Sequence, residues 1–304
     1  MLLALKNTTT IAMIMLFVTA CGQEQDSAQP QYHEAPKAQS RQTYYFAVHP
    51  LHNPEKLQQA YQPLMDHLNR SIREVHFELE ASRDYQVYET KIRARQPEFL
   101  LPNPWQTLQA LKVGYSVIAE AGDSEDFKGI FIVRKDSAIT SFADVRGKTV
   151  SYPSPTAVAA AIMPQYLLHR NGIDVNRDIN NKYVGSQESS IMNAYLKSSD
   201  IAATWPPPWR LFQKDHPDEA AQLKVIWQTE PLINNSVMVR DDIPAPIAGK
   251  VRALLTGLHS DPQGGAILSA METARFKPAN DASYAVVQAF ITRFEKEVRP
   301  VEQR

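Results

Sequence analysis

A chain of 304 residues that is 43% hydrophobic, with a formal net charge of -1, has enough length and apolar content for two hydrophobic cores. The near-neutral balance removes any charge argument for a nucleic-acid or anionic-membrane partner. A single cysteine in the whole sequence excludes a disulfide framework within the chain.

Lys6 precedes an apolar run over 11–18 that leads into "VTAC". The run is too short for a permanent bilayer span, so residues 1–20 are expected to be a secretion signal peptide. Cys21 falls at that boundary and is followed by the polar "GQEQDSAQPQ". This resembles a bacterial lipoprotein box, which implies that Cys21 is acylated, becomes the first mature residue, and leaves no thiol for catalysis or metal binding. Residues 21–42 read as a lipidated flexible tether, since apolar periodicity is missing there. The folded part is expected to begin near Thr43.

"TYYFAV" (43–48) predicts a strand, and the following segment places Leu57, Tyr61, Leu64, Met65 and Leu68 at helical spacing. "VHFEL" (75–79) and a helix from Tyr85 to Arg95 repeat the pattern, as do "EFLL" and the segment opened by Pro102-Asn103-Pro104-Trp105. Strands alternating with helices predict a parallel-type α/β architecture whose ligands sit at the carboxyl ends of strands. Further on, "KTVSY", a helix over 157–170 stopped by Asn171-Gly172, "KYV", a helix from Gln187, "IAAT" and "LKVIW" predict a second α/β unit. A final helix carries an apolar face of Tyr284, Val287, Phe290, Ile291 and Phe294, expected to pack back on the first unit.

Two segments look alike: "GIFIVRKDSAI" (129–139) and "NSVMVRDDIPA" (235–245). A strand followed by a charged turn also arises by chance. If the likeness is real, the chain crosses between two lobes at these strands, giving lobe 1 as 43–132 with 237–304 and lobe 2 as 133–236.

"GKTVSYPSPTAVAAAIMPQYLL" (147–168) joins a strand to an alanine-rich helix through a turn of prolines and hydroxyls. Gly147-Lys148-Thr149 is not the end of a phosphate-binding loop, because Phe142 stands where that motif needs glycine. The first turn of the helix exposes unpaired N–H groups suited to an anion, whereas Ser154 or Thr156 could equally serve as an ordinary cap.

The blocks "VHPLHNPEKL", "YQPLMDHL", "IVRKDS", "DVRGKTVSYPSP" and "YVGSQES", in this order from Tyr44 to Phe294, resemble periplasmic solute-binding proteins of the phosphate, phosphite and phosphonate transport family. The resemblance implies a two-lobed type II binding-protein fold that closes on a small oxyanion and delivers it to an ABC permease. In phosphonate-binding members a serine/threonine cluster opens the second-lobe helix, and here Ala157, Val158 and Ala159 stand in its place. Some relatives serve a membrane sensor kinase instead and hold arsenite through a cysteine thiolate. That ligand is excluded by the missing cysteine, and a sensory role with another ligand is the alternative to transport.

The candidate ligand-binding set is His49, Asn103, Trp105, Ser154, Thr156, Ala157, Gln187 and Trp205. Asn103 and Trp105 either face the ligand or form a proline-shaped turn with Trp105 in the core. Gln187 falls where the family's phosphonate binders place a histidine, and Ser186 before it suits a helix cap. In "TWPPPWR" (204–210) the three prolines are expected to stiffen the backbone after a strand end and present Trp205 and Trp209, Trp205 as a wall of the cleft and Trp209 in the core. His49 and His52 lack a third ligand at zinc spacing, so no metal is expected. Asp200 fits a strand-start turn. No nucleophile elbow, metalloprotease or dinucleotide motif is present, so the expectation is a monomeric binding protein without cofactor and without enzymatic activity.

Overall fold

The computed structural model describes residues 41–302. The signal, Cys21 and nearly all of the tether expected from the sequence lie outside them. The alternating pattern folds into two sheets. The first holds β1 (Gln42–Val48), β2 (Val75–Glu80), β3 (Phe99–Leu101), β4 (Tyr115–Ala121), β10 (Asn235–Arg240) and β11 (Phe276–Pro278) in the order β2-β1-β3-β10-β4-β11. The second holds β5 (Ile130–Arg134), β6 (Thr149–Tyr152), β7 (Asn180–Tyr183), β8 (Ile201–Thr204) and β9 (Leu223–Gln228) in the order β7-β6-β8-β5-β9. Between the strands run α1 (Pro54–Ser71), α2 (Tyr85–Arg93), α3 (Pro104–Leu111), α4 (Met163–Arg170), α5 (Gln187–Tyr195), α6 (Pro206–Asp215), α7 (Pro217–Ala220), α8 (Ala245–Gly257), α9 (Gly264–Ala270) and α10 (Ala285–Glu297).

The two sheets share one plan, and the look-alike segments are its matching parts. β10 runs antiparallel between β3 and β4, and β5 runs antiparallel between β8 and β9. Each ends in an arginine that grips the aspartate two residues on and a backbone carbonyl of its own lobe. Arg134 donates to Asp136 at 3.0 Å and to the Tyr195 carbonyl at 2.9 Å. Arg240 donates to Asp242 at 2.6 Å and to the Arg95 carbonyl at 2.8 Å.

The lobe boundaries expected from the sequence shift. Ile130 pairs with Thr204 and Gln228, and Asn235 pairs with Ala121, so residues 130–132 belong to the second lobe and 235–236 to the first. The crossings are the segments 122–129 and 229–234. Gly129 ends the first crossing where a Cβ would stand 2.5 Å from the Ala159 carbonyl oxygen and 2.7 Å from the Pro164 ring, so only glycine fits without displacement.

One local expectation also changes. The helix expected over 157–170 opens with one wide π turn, Val158–Ile162, before α4. Pro164 lacks an N–H for the bond back to Ala160, and the widened turn absorbs the mismatch. The three prolines of 206–208 do stiffen the chain after β8, and they do so as the first turn of α6, where the missing N–H groups had no helical acceptor anyway. Trp209 is half-buried, packed beside the small second-lobe cluster that holds Ile191 and Phe212.

One buried apolar cluster runs through both lobes, joining Leu51, Tyr85, Tyr88 and Trp105 to Ala157–Met163 and Trp205. Another covers the far face of the first sheet under α1, α8 and α9. α10 packs on α3, as expected, and the residues just after it reach the second lobe: Asn176 donates to the Val298 carbonyl at 2.9 Å, and Arg299 to Gln165 at 2.7 Å.

Candidate ligand-binding cleft

The carboxyl ends of β1 and β3 and the starts of α2 and α3 face the carboxyl ends of β6 and β8 and the starts of the 158–170 helix and α5. His49 follows β1 and is almost fully buried. Its Nδ1 lies 3.0 Å from the Leu101 carbonyl, which can only accept, so Nδ1 carries the hydrogen and Nε2 keeps a lone pair. Burial holds this imidazole neutral, with its pKa down at about 4. Its ring stands edge-on to Tyr85, with centroids 6.3 Å apart.

Tyr85 is the first residue of α2, whose Asp84 cap accepts from the Val87 N–H at 2.9 Å. The Gln187 amide donates to the Tyr85 oxygen across the cleft at 3.3 Å, and the Thr204 hydroxyl donates to Gln187 Oε1 at 2.8 Å. This chain of contacts leaves the Tyr85 hydroxyl hydrogen and the second Gln187 N–H unspent. Ser186 caps α5 through the Ser189 N–H at 3.1 Å, so capping and cleft-facing roles coexist in neighbouring residues.

Four residues farther along α2, Glu89 also meets the second lobe. Its Oε1 accepts from the Thr156 hydroxyl at 2.6 Å and from Gln106 at 3.1 Å. Burial raises the Glu89 pKa above the usual carboxylate range, against the hydrogen bonds from Thr156 and Gln106. Asn103 caps α3 in a reciprocal box with Gln106, and its Nδ2 donates across the cleft to the Thr156 carbonyl at 3.1 Å. Asn103 thus forms the turn that opens α3, and its side-chain amide is spent on the Thr156 carbonyl of the other lobe.

Thr156 neither caps the helix nor leaves its hydroxyl free. Its hydroxyl and carbonyl are held by the first lobe, and Ser154 Oγ sits 3.0 Å from Thr156 Oγ1. Ala157 occupies the cap position and its N–H closes a turn onto the Ser154 carbonyl at 3.2 Å. Among the described residues, the N–H groups of Val158, Ala159 and Ala160 have no acceptor. Trp105 is buried in the core cluster beside Leu51 and Leu108. Trp205 is buried too, edge-on to Phe127 at 5.4 Å. Asp200 ties the start of β6, accepting from the Thr149 N–H at 2.8 Å. No group of three His, Cys, Asp or Glu among the described residues could hold a metal ion.

A recess of about 520 Å³ opens at the cleft edge between Glu89, Arg93, Ser154, Thr156, Val301 and Glu302. Tyr85, Glu89 and Gln106 were not singled out from the sequence. The i, i+4 spacing of Tyr85 and Glu89 on a predicted helix places them on one face, but only the fold shows that this face meets the other lobe.

Two open α/β sheets of like order, crossed twice by the chain and facing each other across a cleft rimmed by helix starts, define a type II periplasmic binding protein. The family model described as "ABC transporter, phosphonate, periplasmic substrate-binding protein" matches residues 46–284, and the chain belongs to this family. A probable phosphite-binding protein of an ABC transporter from Prochlorococcus marinus (strain MIT 9301) is 22% identical over 135 residues, covering 42% of this chain and 46% of that protein. The matched stretch is thus less than half the length of that curated relative. Among solved structures, the Prochlorococcus marinus protein in complex with methylphosphonate has a TM-score of 0.76 at 16% identity, covering 84% of this chain and 99% of that one. A binding component of an ABC phosphonate transporter from Pseudomonas aeruginosa has the same score and identity, covering 84% and 88%. The alkanesulfonate-binding protein of Xanthomonas axonopodis pv. citri, bound to MOPS, scores 0.56 at 13% identity, covering 86% of each chain.

Proposed function

We propose that the protein is a periplasmic lipoprotein that binds a small oxyanion of the phosphate, phosphite or phosphonate type and delivers it to an ABC permease. The observation that carries this reading is the set of unspent donors at the cleft: the Tyr85 hydroxyl, the second Gln187 N–H, and the N–H groups of Val158, Ala159 and Ala160. Donors without acceptors suit an acceptor-rich ligand, and the start of a helix favours negative charge. His49, neutral and with its Nε2 lone pair free, suits a ligand hydroxyl or P–OH group as its donor. The lobes close on the ligand through the 122–129 and 229–234 crossings, because a site built from both lobes binds the closed form better than the open one.

Anchoring through acylated Cys21 is the second part of the proposal, tested by mass spectrometry of the membrane-extracted protein. The ligand is tested by thermal shift with phosphate, phosphite, methylphosphonate and methanesulfonate. A ligand present at a hundred times its Kd raises stability by about 2.7 kcal/mol. Absence of a shift with every phosphorus oxyanion refutes the ligand class. Co-purification with a permease, as opposed to a sensor kinase, separates transport from sensing.

A further inference from the structure

Glu89, Gln106, Asn103 and Thr156 form a closed ring of hydrogen bonds that crosses between the lobes twice. Glu89 Oε1 takes the Thr156 hydroxyl and the Gln106 amide, Gln106 and Asn103 lock each other, and Asn103 donates to the Thr156 carbonyl. All four side chains are buried. Thr156 stands one residue before Ala157, whose carbonyl takes the first two helical bonds, from the Ala161 and Ile162 N–H groups at 2.8 and 3.1 Å. The turn that aims the Val158–Ala160 N–H groups is therefore held from the opposite lobe.

We infer that Glu89 is a positioning residue for ligand affinity: it latches the Thr156 turn to the first lobe when the cleft closes, without touching the ligand itself. This rests on the oxyanion-binding reading above. Arg93 on the same helix and Glu302 from the C-terminal segment are the charged groups that face Glu89, and Thr156 and Gln106 are its hydrogen-bond donors. A hydrogen bond from a hydroxyl to a carboxylate that forms only on closure adds to the closed state alone, so its loss appears as weaker binding.

The test uses titration calorimetry with phosphate, phosphite and methylphosphonate, together with the distance between spin labels at Leu196→Cys and Val286→Cys in a Cys21→Ser background, two exposed positions in different lobes. Glu89→Ala and Thr156→Val should each lower affinity by about tenfold or more. The double variant should lose no more than either single one, because both remove the same contact. Thr156→Ser should bind as the wild type does, and Glu89→Gln, which keeps an acceptor oxygen, should fall between. The label distance should broaden toward longer values in Glu89→Ala without ligand. Additive losses in the double variant, or a Glu89→Ala protein that melts lower but binds unchanged, overturn the latch. If the wild type binds none of the three oxyanions, the ligand reading falls alone. The latch is then judged on distance, and a Glu89→Ala distribution that superimposes on the wild type overturns it.

Discussion

At the cleft, the first lobe presents side chains: Tyr85, Glu89 and Asn103 bond to the second lobe, and His49 stands edge-on to Tyr85. The second lobe answers at its principal helix start with backbone, since Ala157, Val158 and Ala159 carry no polar side-chain atom and the polar groups of Val158–Ala160 are their N–H groups. Gln187, Thr204 and Thr156 are the exceptions: the first two are bonded to each other, and the Thr156 hydroxyl is spent on Glu89. The contrast teaches that the two lobes respond to different perturbations. Side-chain groups can be titrated or truncated, whereas a backbone donor is removed only by proline or by moving the chain.

The largest expected effect is acid sensitivity seated in the first lobe. Burial holds His49 down at about 4, and burial, with the His49 and Lys56 charges adding to it, holds His52 down at about 4. Each folded-state pKa lies below the ordinary value near 6.5, so the unfolded chain binds more protons between pH 6.5 and 4. Stability is thus complete above about pH 6.5 and falls as the pH drops toward 4, by on the order of 3 kcal/mol for each ring. Asp144, held at about 2 by the Thr140 and Ser141 N–H groups, adds its own loss only in stronger acid, below the ordinary carboxylate pKa. Urea unfolding from pH 7 to 4 should show this slope in the wild type and a much flatter one in a His49→Gln, His52→Gln double variant. Equal slopes would remove the histidines from the account.

The backbone side is broken most directly by Val158→Pro. Val158 opens the helix, where proline fits, and Ala157 before it is already extended at φ -73 and ψ 106. The substitution therefore deletes one N–H while leaving the helix largely intact. Oxyanion affinity should fall by roughly 1.5–3 kcal/mol, the range for a hydrogen bond to a charged group. Val158→Ala is the control for lost side-chain packing, and equal affinities for the two variants would end the claim that this N–H reaches the ligand.

How much of this contrast was legible in the sequence depends on whether a feature is local. Strand and helix alternation, the Ser186 cap and the paired Arg-x-Asp segments are local, and the structure has them where the sequence puts them. Lobe assignment was displaced by a few residues because an apolar strand reads the same in either sheet, and only its pairing register decides. The stiffness of Pro206–Pro208 is local and legible, but that they open a helix is less so, because proline usually breaks helices although a first turn tolerates it. Thr156 was read as cap or ligand contact because its true partner, Glu89, lies 67 positions away on the other lobe. The cross-cleft ring is a tertiary fact with no sequence periodicity behind it.

Moving the chain rather than deleting a donor is the next smaller perturbation. A Cβ at position 129 meets the Ala159 carbonyl and the Pro164 ring well inside contact distance, so Gly129→Ala must push the π turn away from the crossing. Overpacking of this kind costs about 1–3 kcal/mol. Thermal unfolding should drop accordingly, and ligand affinity should drop with it because the displaced turn carries the Val158–Ala160 donors. Lost stability with unchanged affinity would mean that the turn is not part of the binding surface.

The smallest expected effect returns to the first lobe and asks whether a single side-chain donor matters there. Tyr85→Phe keeps the ring against His49 and removes only the hydroxyl, which accepts from Gln187 at 3.3 Å and has its own hydrogen unspent. Without ligand, the loss is one long hydrogen bond, and stability should fall by about 1 kcal/mol or less. With ligand, a donor to a charged oxygen is lost as well, so affinity should fall by about tenfold, the low end of the range for such a bond and more than the stability change alone accounts for. Gln187→Leu is the companion variant: it removes the same inter-lobe bond together with the Gln187 N–H offered to the ligand, but leaves the Tyr85 hydroxyl in place. Weaker binding in Tyr85→Phe than in Gln187→Leu assigns the larger contact to Tyr85. If Tyr85→Phe and Gln187→Leu bind the oxyanion equally well and both match the wild type, the first lobe acts here through packing, and the division of labour between side-chain and backbone donors does not hold.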